Sequence, residues 1–290
     1  MNLRSALGAL ALFSAAFVFV AAPQPAFAQG GDLCPIKQFS DLRGKPSLSS
    51  GSAAAVPKFV PGEESAYKAF FKLKPEDTAQ RLQAGDAFVR KFPDGPFTEA
   101  VYSQMSMAAY QQQDFPKMEE YAAKALSINP DDVTVMVFTG WVIPHSSDAA
   151  PEQLDKAEKY EKRVLELLPT YARPAGMTDQ DLAAAKIQYE AQAHSALGLV
   201  DYRRDDFTGA VDELTKATSG NVQPDPADYF VLGSSLNRLN RFTDAATAFD
   251  SCSKIPGGEQ SVCQRNADDA RKSAASASSS AATKTTSAKL

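Results

Sequence analysis

The chain has 290 residues, 22% of them charged, with 30 Lys and Arg against 35 Asp and Glu and a formal net charge of −5. This mildly acidic balance lacks the surplus of cations with which nucleic-acid binders neutralise phosphates, so no nucleic-acid partner is expected. The length allows one or two globular domains or a stack of repeats, and the pattern along the chain decides between them.

The first element is an address. Residues 1–28 carry Arg4 in a short positive start, an apolar run over Ala6 to Ala22, and Ala26-Phe27-Ala28 as a small-x-small cleavage site. That is the pattern of a secretory signal peptide. The alternative is an uncleaved anchor, since the run approaches spanning length; Pro23, Pro25 and the cleavage site favour processing. Cys34 follows "GGDL", without the apolar residue three positions earlier that a lipid-acceptor cysteine needs. The mature chain is therefore expected to be exported, periplasmic and without stable membrane insertion. Cleavage removes one cation and no acid, which moves the net charge to −6.

Residues 29–63 are rich in Gly, Ser, Pro and Lys and show no apolar period, which predicts a flexible linker. From 64 to 256 apolar residues recur at three- and four-residue spacing among many alanines, which predicts helices throughout and an all-α fold. Thr178 and Asp181 form a capping-box start, so one helix is expected from about Asp179 to about Arg204, long enough to protrude from or brace its neighbours. Asp131 and Asp132 suit the start of another helix. A capping helix is expected over 257–272. Residues 273–290, "SAASASSSAATKTTSAKL", read as a disordered low-complexity tail.

The helical part aligns on itself. Gly233 is followed by Phe242 and Ala245, Gly198 by Phe207 and Ala210, and Ser106 by Phe115 and Met118, at the same offsets. Gly140 lies 34 residues after Ser106, and Gly233 lies 35 after Gly198. Leu154, Ala157, Val164 and Pro169 fall in phase once about five residues are allowed for "PHSSD". Proline closes the unit at Pro130, Pro169 and Pro256.

On these residues the chain resembles the tetratricopeptide-repeat (TPR) family over 64–256. The copy with Tyr229, Leu232, Gly233, Leu236, Phe242, Ala245, Phe249 and Cys252 matches best. The next has His194, Leu197, Gly198, Phe207, Ala210, Leu214 and Ala217. A weaker one has Tyr102, Met105, Ser106, Phe115 and Ala125. The resemblance implies a helix-hairpin solenoid of four to five units, one degenerate and one carrying an insertion. Exported bacterial TPR proteins of the cell envelope share the turn-and-helix pattern of residues 88–115.

It also implies a function: a non-enzymatic scaffold that binds a protein or peptide segment in a concave groove. The first helix of each hairpin would line that groove. Its inward positions are Met107, Tyr110, Gln111, Val137, Trp141, Leu199, Tyr202, Arg203, Phe230, Ser234, Asn237 and Arg238. Aromatic rings, amides and arginines suit an extended peptide. The alternative is that several of them pack against adjacent helices. The groove could also be filled by the chain's own tails or by a second copy in a homo-oligomer.

Cys252 and Cys263 flank a turn at Gly257-Gly258 and are read as a disulfide in an oxidising compartment, against two buried thiols; Cys34 is then the odd cysteine. His194 occupies a packing position. His145 has Ser146 and Asp148 near it in sequence, but a loop tetrapeptide does not supply a nucleophile, a base and an oxyanion hole. Zinc-ligand spacing and Gly-rich phosphate loops are absent, so no catalytic residue, metal or cofactor is expected. The acidic runs read as solvated faces.

Overall fold

A computed structural model describes residues 60–173, 177–219, 225–257 and 259–287. Signal peptide, nearly all of the linker, Cys34 and the last three residues of the tail lie outside the described residues. Among those described, eleven α-helices and one short 3₁₀ turn make up the fold, and there is no strand. They are α1 (Glu63–Phe71), α2 (Thr78–Lys91), α3 (Thr98–Gln111), α4 (Phe115–Ile128), α5 (Val133–His145) and α6 (Pro151–Leu167), then α7 (Asp179–Arg203), α8 (Phe207–Thr218), α9 (Pro226–Arg238), α10 (Phe242–Lys254) and α11 (Gln260–Ser287). The fold is all-α, and consecutive helices pack as adjacent pairs: α3 with α4, α5 with α6, α7 with α8, α9 with α10.

Three of those pairs turn in the same way. Gln113, Asp205 and Asn240 take the left-handed conformation, with φ of 59°, 61° and 60°. In each turn the next amide reaches back five residues: Asp114 N to Ala109 O at 3.0 Å, Asp206 N to Asp201 O at 2.9 Å, Arg241 N to Leu236 O at 2.9 Å. This is the hydrogen-bond pattern that satisfies orphan carbonyls at a helix end. Phe115, Phe207 or Phe242 then opens the second helix. Asp114 and Asp206 cap it, accepting from Lys117 N and Gly209 N.

Within each pair the helices touch where a side chain is missing. A Cβ on Gly198 would stand 2.6 Å from Leu214 Cγ, one on Gly233 2.8 Å from Phe249 Cδ1, and one on Gly140 2.3 Å from Glu161 Oε1. In the α3–α4 pair Ser106 takes this place, and its hydroxyl donates to Met118 O at 2.8 Å. Ala125, Ala157, Ala210 and Ala245 are fully buried on the second helices.

The helix carrying Gly198 starts at Asp179, held by the reciprocal Thr178–Asp181 cap. Its first half braces its neighbours: Ala185 and Tyr189 are buried, and Lys186 Nζ donates to Pro169 O. Helix α5 is buried along Val133 to Pro144 because it is apolar on every face. Asp132 caps its start, accepting from Val135 N at 3.0 Å.

The C-terminal end differs from the sequence reading. Helix α11 does not stop near Lys272 but continues through the Ser/Ala segment to Ser287. Alanine is the best helix former, and serine can satisfy its hydroxyl inside a helix by donating one turn back. Ser273, Ser276 and Ser278 do so, to the carbonyls of Asp269, Lys272 and Ala274. Cys252 and Cys263 are joined in a disulfide between α10 and α11, with Cα atoms 5.9 Å apart.

Two stability outcomes follow from this geometry. Gly198→Val should cost roughly 2–3 kcal/mol in urea denaturation, because Leu214 has no room to retreat from the added atoms. Gln113→Gly should gain up to about 1 kcal/mol, since glutamine bears the steric cost of the left-handed turn.

Candidate functional site

The first-helix positions do not form one uniform surface. Met107, Trp141 and Leu199 are buried, at 4%, 6% and 6% exposure, and Val137 is fully buried. That corrects their assignment as ligand contacts. Met107 is seated beside Gln104, Trp141 sits 4.2 Å from the His145 ring, and Leu199 belongs to the core around Val211, Leu232 and Leu236.

The remaining positions are half-buried or exposed. Tyr110 stands edge-on to Phe138 and Phe115, with centroids 5.5 and 6.0 Å away, and Gln111 follows it. Tyr202 meets Phe207 at 5.8 Å, and the exposed Arg238 lies over the same Phe207 ring at 5.4 Å. Phe230 meets Phe249 at 5.8 Å, and the Ser234 hydroxyl donates to Phe230 O. Asn237 presents a buried Oδ1 that has no hydrogen-bond partner. Arg203 is committed to structure: Nη1 donates to Pro144 O and Ser146 O, and Nη2 to Ser147 O. These bonds satisfy carbonyls at the end of α5, where Pro144 interrupts the regular ladder.

Around that helix end lies a cluster of ionisable groups. His145 Nδ1 bonds Trp141 O at 2.6 Å, whereas the Ser146 hydroxyl donates to Asp148. The histidine thus turns back along its own helix, and the three groups do not form a nucleophile–base pair. Desolvation holds the imidazole below its ordinary pKa, and Arg203 adds to that, against the opposing pull of Asp225 and the Trp141 carbonyl. Asp228 on α9 is buried and pushed up to about 8, by burial first and by Asp225 second, while the Ser195 hydroxyl donates to it at 2.6 Å. His194, at its packing position, is satisfied by Glu213: its Nδ1 pairs with that carboxylate at 2.6 Å, and this bond lowers the Glu213 pKa.

Sequence reasoning missed Glu161. It sits in an acidic stretch read as a solvated face, yet it is fully buried against Gly140 and neither carboxyl oxygen has a hydrogen-bond partner. The signal was its register, since it lies four residues after Ala157 on the face turned to α5.

An outer cleft of about 710 Å³ lies by α4, α5 and α6, lined in part by Asp131, Glu158, Lys162 and Arg163. Several of its charges pair with each other or with a neighbour: Arg163 with Asp131 and Glu166, and Lys162 with Glu158. Among the described residues no group of three His, Cys, Asp or Glu side chains is arranged to hold a metal ion. None of the described helices is long and apolar enough to cross a membrane. No family model matches the chain, and no curated protein matches it.

Burial raises the Glu161 pKa well above the ordinary carboxylate value. The folded chain therefore keeps a proton that the unfolded chain releases, and this stabilising difference is full at low pH and lost as pH rises toward the folded value. Glu161→Gln should remove that loss. Denaturation at pH 4 and pH 8 should show the variant gaining on the native protein by more than about 1 kcal/mol at the higher pH.

Proposed function

We propose that the chain is an exported TPR scaffold that binds an extended polypeptide segment along the first helices of its hairpins and performs no chemistry of its own. Three hairpins share one turn geometry, and a small residue marks the helix crossing at Ser106, Gly140, Gly198 and Gly233, the first two 34 residues apart and the last two 35, as expected of stacked units that bury their apolar faces against each other. The binding surface in this reading is narrower than the sequence suggested. It comprises Tyr110 and Gln111 on α3, Tyr202 on α7, and Phe230, Asn237 and Arg238 on α9.

One observation carries the reading. Asn237 Oδ1 is buried without a donor, on the helix that also carries the exposed Arg238 and the half-buried Phe230. A buried acceptor left unmatched costs about 1–3 kcal/mol. A peptide backbone N–H laid along α9 would supply the missing donor, while Tyr202 and Phe230 cover its side chains.

The test is binding of an immobilised random octapeptide library by residues 29–290, beside an Asn237→Ala, Arg238→Ala variant of equal helicity. About tenfold or greater weakening is expected, the equivalent of ~1.4 kcal/mol. Unchanged binding by the variant would move the working surface away from α9. If deleting residues 273–290 uncovers binding that the longer chain lacks, the surface is occupied by the chain's own tail.

A further inference from the structure

The seam between the α7–α8 pair and the α9–α10 pair joins the two helices that carry most of the proposed binding surface. Its interior is apolar, with Leu199, Val211 and Leu214 in one cluster with Val231, Leu232 and Leu236. A hydrogen bond buried on both sides crosses it near the start of α9. There the Ser195 hydroxyl of α7, 3% exposed, donates to Oδ1 of Asp228, 6% exposed, at 2.6 Å. Near the end of α9 the seam is crossed again, by Arg238 over the Phe207 ring of α8, which Tyr202 of α7 meets at its edge.

A carboxylate buried in such a seam is costly unless a cation sits beside it. The surrounding charges supply none to Asp228. Asp225 caps α9, accepting from Ala227 N at 2.9 Å, and its own charge opposes a second anion nearby. On α5, His145 feels Asp225 but is held toward its neutral form by desolvation. Arg203 of α7 spends its guanidinium on the carbonyls of Pro144, Ser146 and Ser147. On α8, Glu213 pairs with Lys216 and His194, and Asp212 is exposed. On α10, Asp244 and Asp250 pair with Arg241 and Arg271, and Lys254 is exposed. Asp228 therefore keeps its proton up to about pH 8 in the closed seam, whereas a carboxyl freed into water gives it up at about pH 4. Opening the seam releases that proton, so opening is opposed in acid and grows easier as pH rises across this interval.

We propose that Ser195 and Asp228 form a proton-dependent clasp between the two helix pairs, closed in acid and loosened as pH rises, and that the clasp governs how firmly Tyr202 on α7 and Phe230 and Arg238 on α9 hold a polypeptide together. The control of binding rests on the polypeptide-binding reading above; the clasp itself does not.

Three measurements on residues 29–290 test it. The first follows the side-chain carboxyl carbon resonances by NMR as a function of pH. One resonance, absent in Asp228→Asn, should titrate above about pH 6. Its midpoint should fall in Asp225→Asn, which removes an opposing anion, and rise in Ser195→Ala, which removes a donor to the charged form. The second is hydrogen exchange of the α9 amides at pH 6 and pH 8.5, corrected for the intrinsic rates. The native chain should lose at least about tenfold more protection than Asp228→Asn, whose amide oxygen still accepts from Ser195 but cannot ionise. The third is binding of an N-acetylated, amidated octapeptide library at the same two pH values. The native chain should weaken by at least about threefold relative to Asp228→Asn. Circular dichroism at pH 6 checks that all variants are as helical as the native chain.

Titration of Asp228 in the ordinary carboxylate range overturns the clasp, as does an equal change of α9 protection in the native chain and Asp228→Asn. Library affinity that responds to pH equally in both proteins overturns the control of binding and leaves the proposed function standing. If neither protein binds the library at either pH, the proposed function and the control of binding fall together, and the first two measurements decide the clasp alone.

Discussion

Everything in this fold depends on two helices approaching each other where one of them has almost no side chain. Gly198 against Leu214, Gly233 against Phe249 and Gly140 against Glu161 leave no room for a methyl group, and Ser106 manages the same approach by giving its hydroxyl to a carbonyl of the facing helix. Once the axes are that close, the connection between them must be short, which is why three turns use a left-handed residue and a five-residue back-bond. The room that glycine leaves is taken by a large side chain of the facing helix, Leu214 or Phe249, and Met118 lies opposite Ser106 in the same way. All three are buried by that approach.

The charged surface ties one pair to the next. Arg204, at the cap that ends α7, reaches both Asp155 and Glu158 on α6, and Lys156 on α6 reaches Glu119 on α4. Exposed ion pairs of this kind are each worth about 0–1 kcal/mol, so they orient neighbouring pairs more than they hold them. Adhesion comes from the apolar seams, one running from Phe70 to Tyr189 and a second from Leu199 to Ala270.

Much of this was legible in the sequence, because the features concerned are local or periodic. The small residue, the aromatic nine positions on and the alanine twelve on sit in one chain segment, and their offsets can be counted. Thr178 and Asp181 announce the start of α7 for the same reason. Other features depend on what lies across a contact. Nothing in the residues around Trp141 or Leu199 tells which flank another helix will cover, and α5, apolar on all sides, has no open flank to reveal. Glu161 looks like its exposed neighbours until Gly140 is placed against it. Arg81 is one arginine among many, set apart only after folding, by its burial among α1, α2 and α3. In α11 the Ser/Ala composition fits a coil as well as a helix, and the choice falls to alanine propensity and serine back-bonds that sequence complexity does not register.

The disulfide gives the two ends of the described structure unequal fates. Cys252 and Cys263 are 11 residues apart, so the bond closes a small loop and fastens α11 covalently to the last pair. At the other end α1 is nine residues long and held by non-covalent contacts alone, among them the Phe97 amide to Glu63 and the Tyr67–Phe97 ring stack. Local opening is easiest where contacts are few and no cross-link holds. The two ends are thus tethered unequally: α1 can detach without any covalent bond being broken, whereas the start of α11 stays leashed to α10 for as long as the Cys252–Cys263 bond is oxidised.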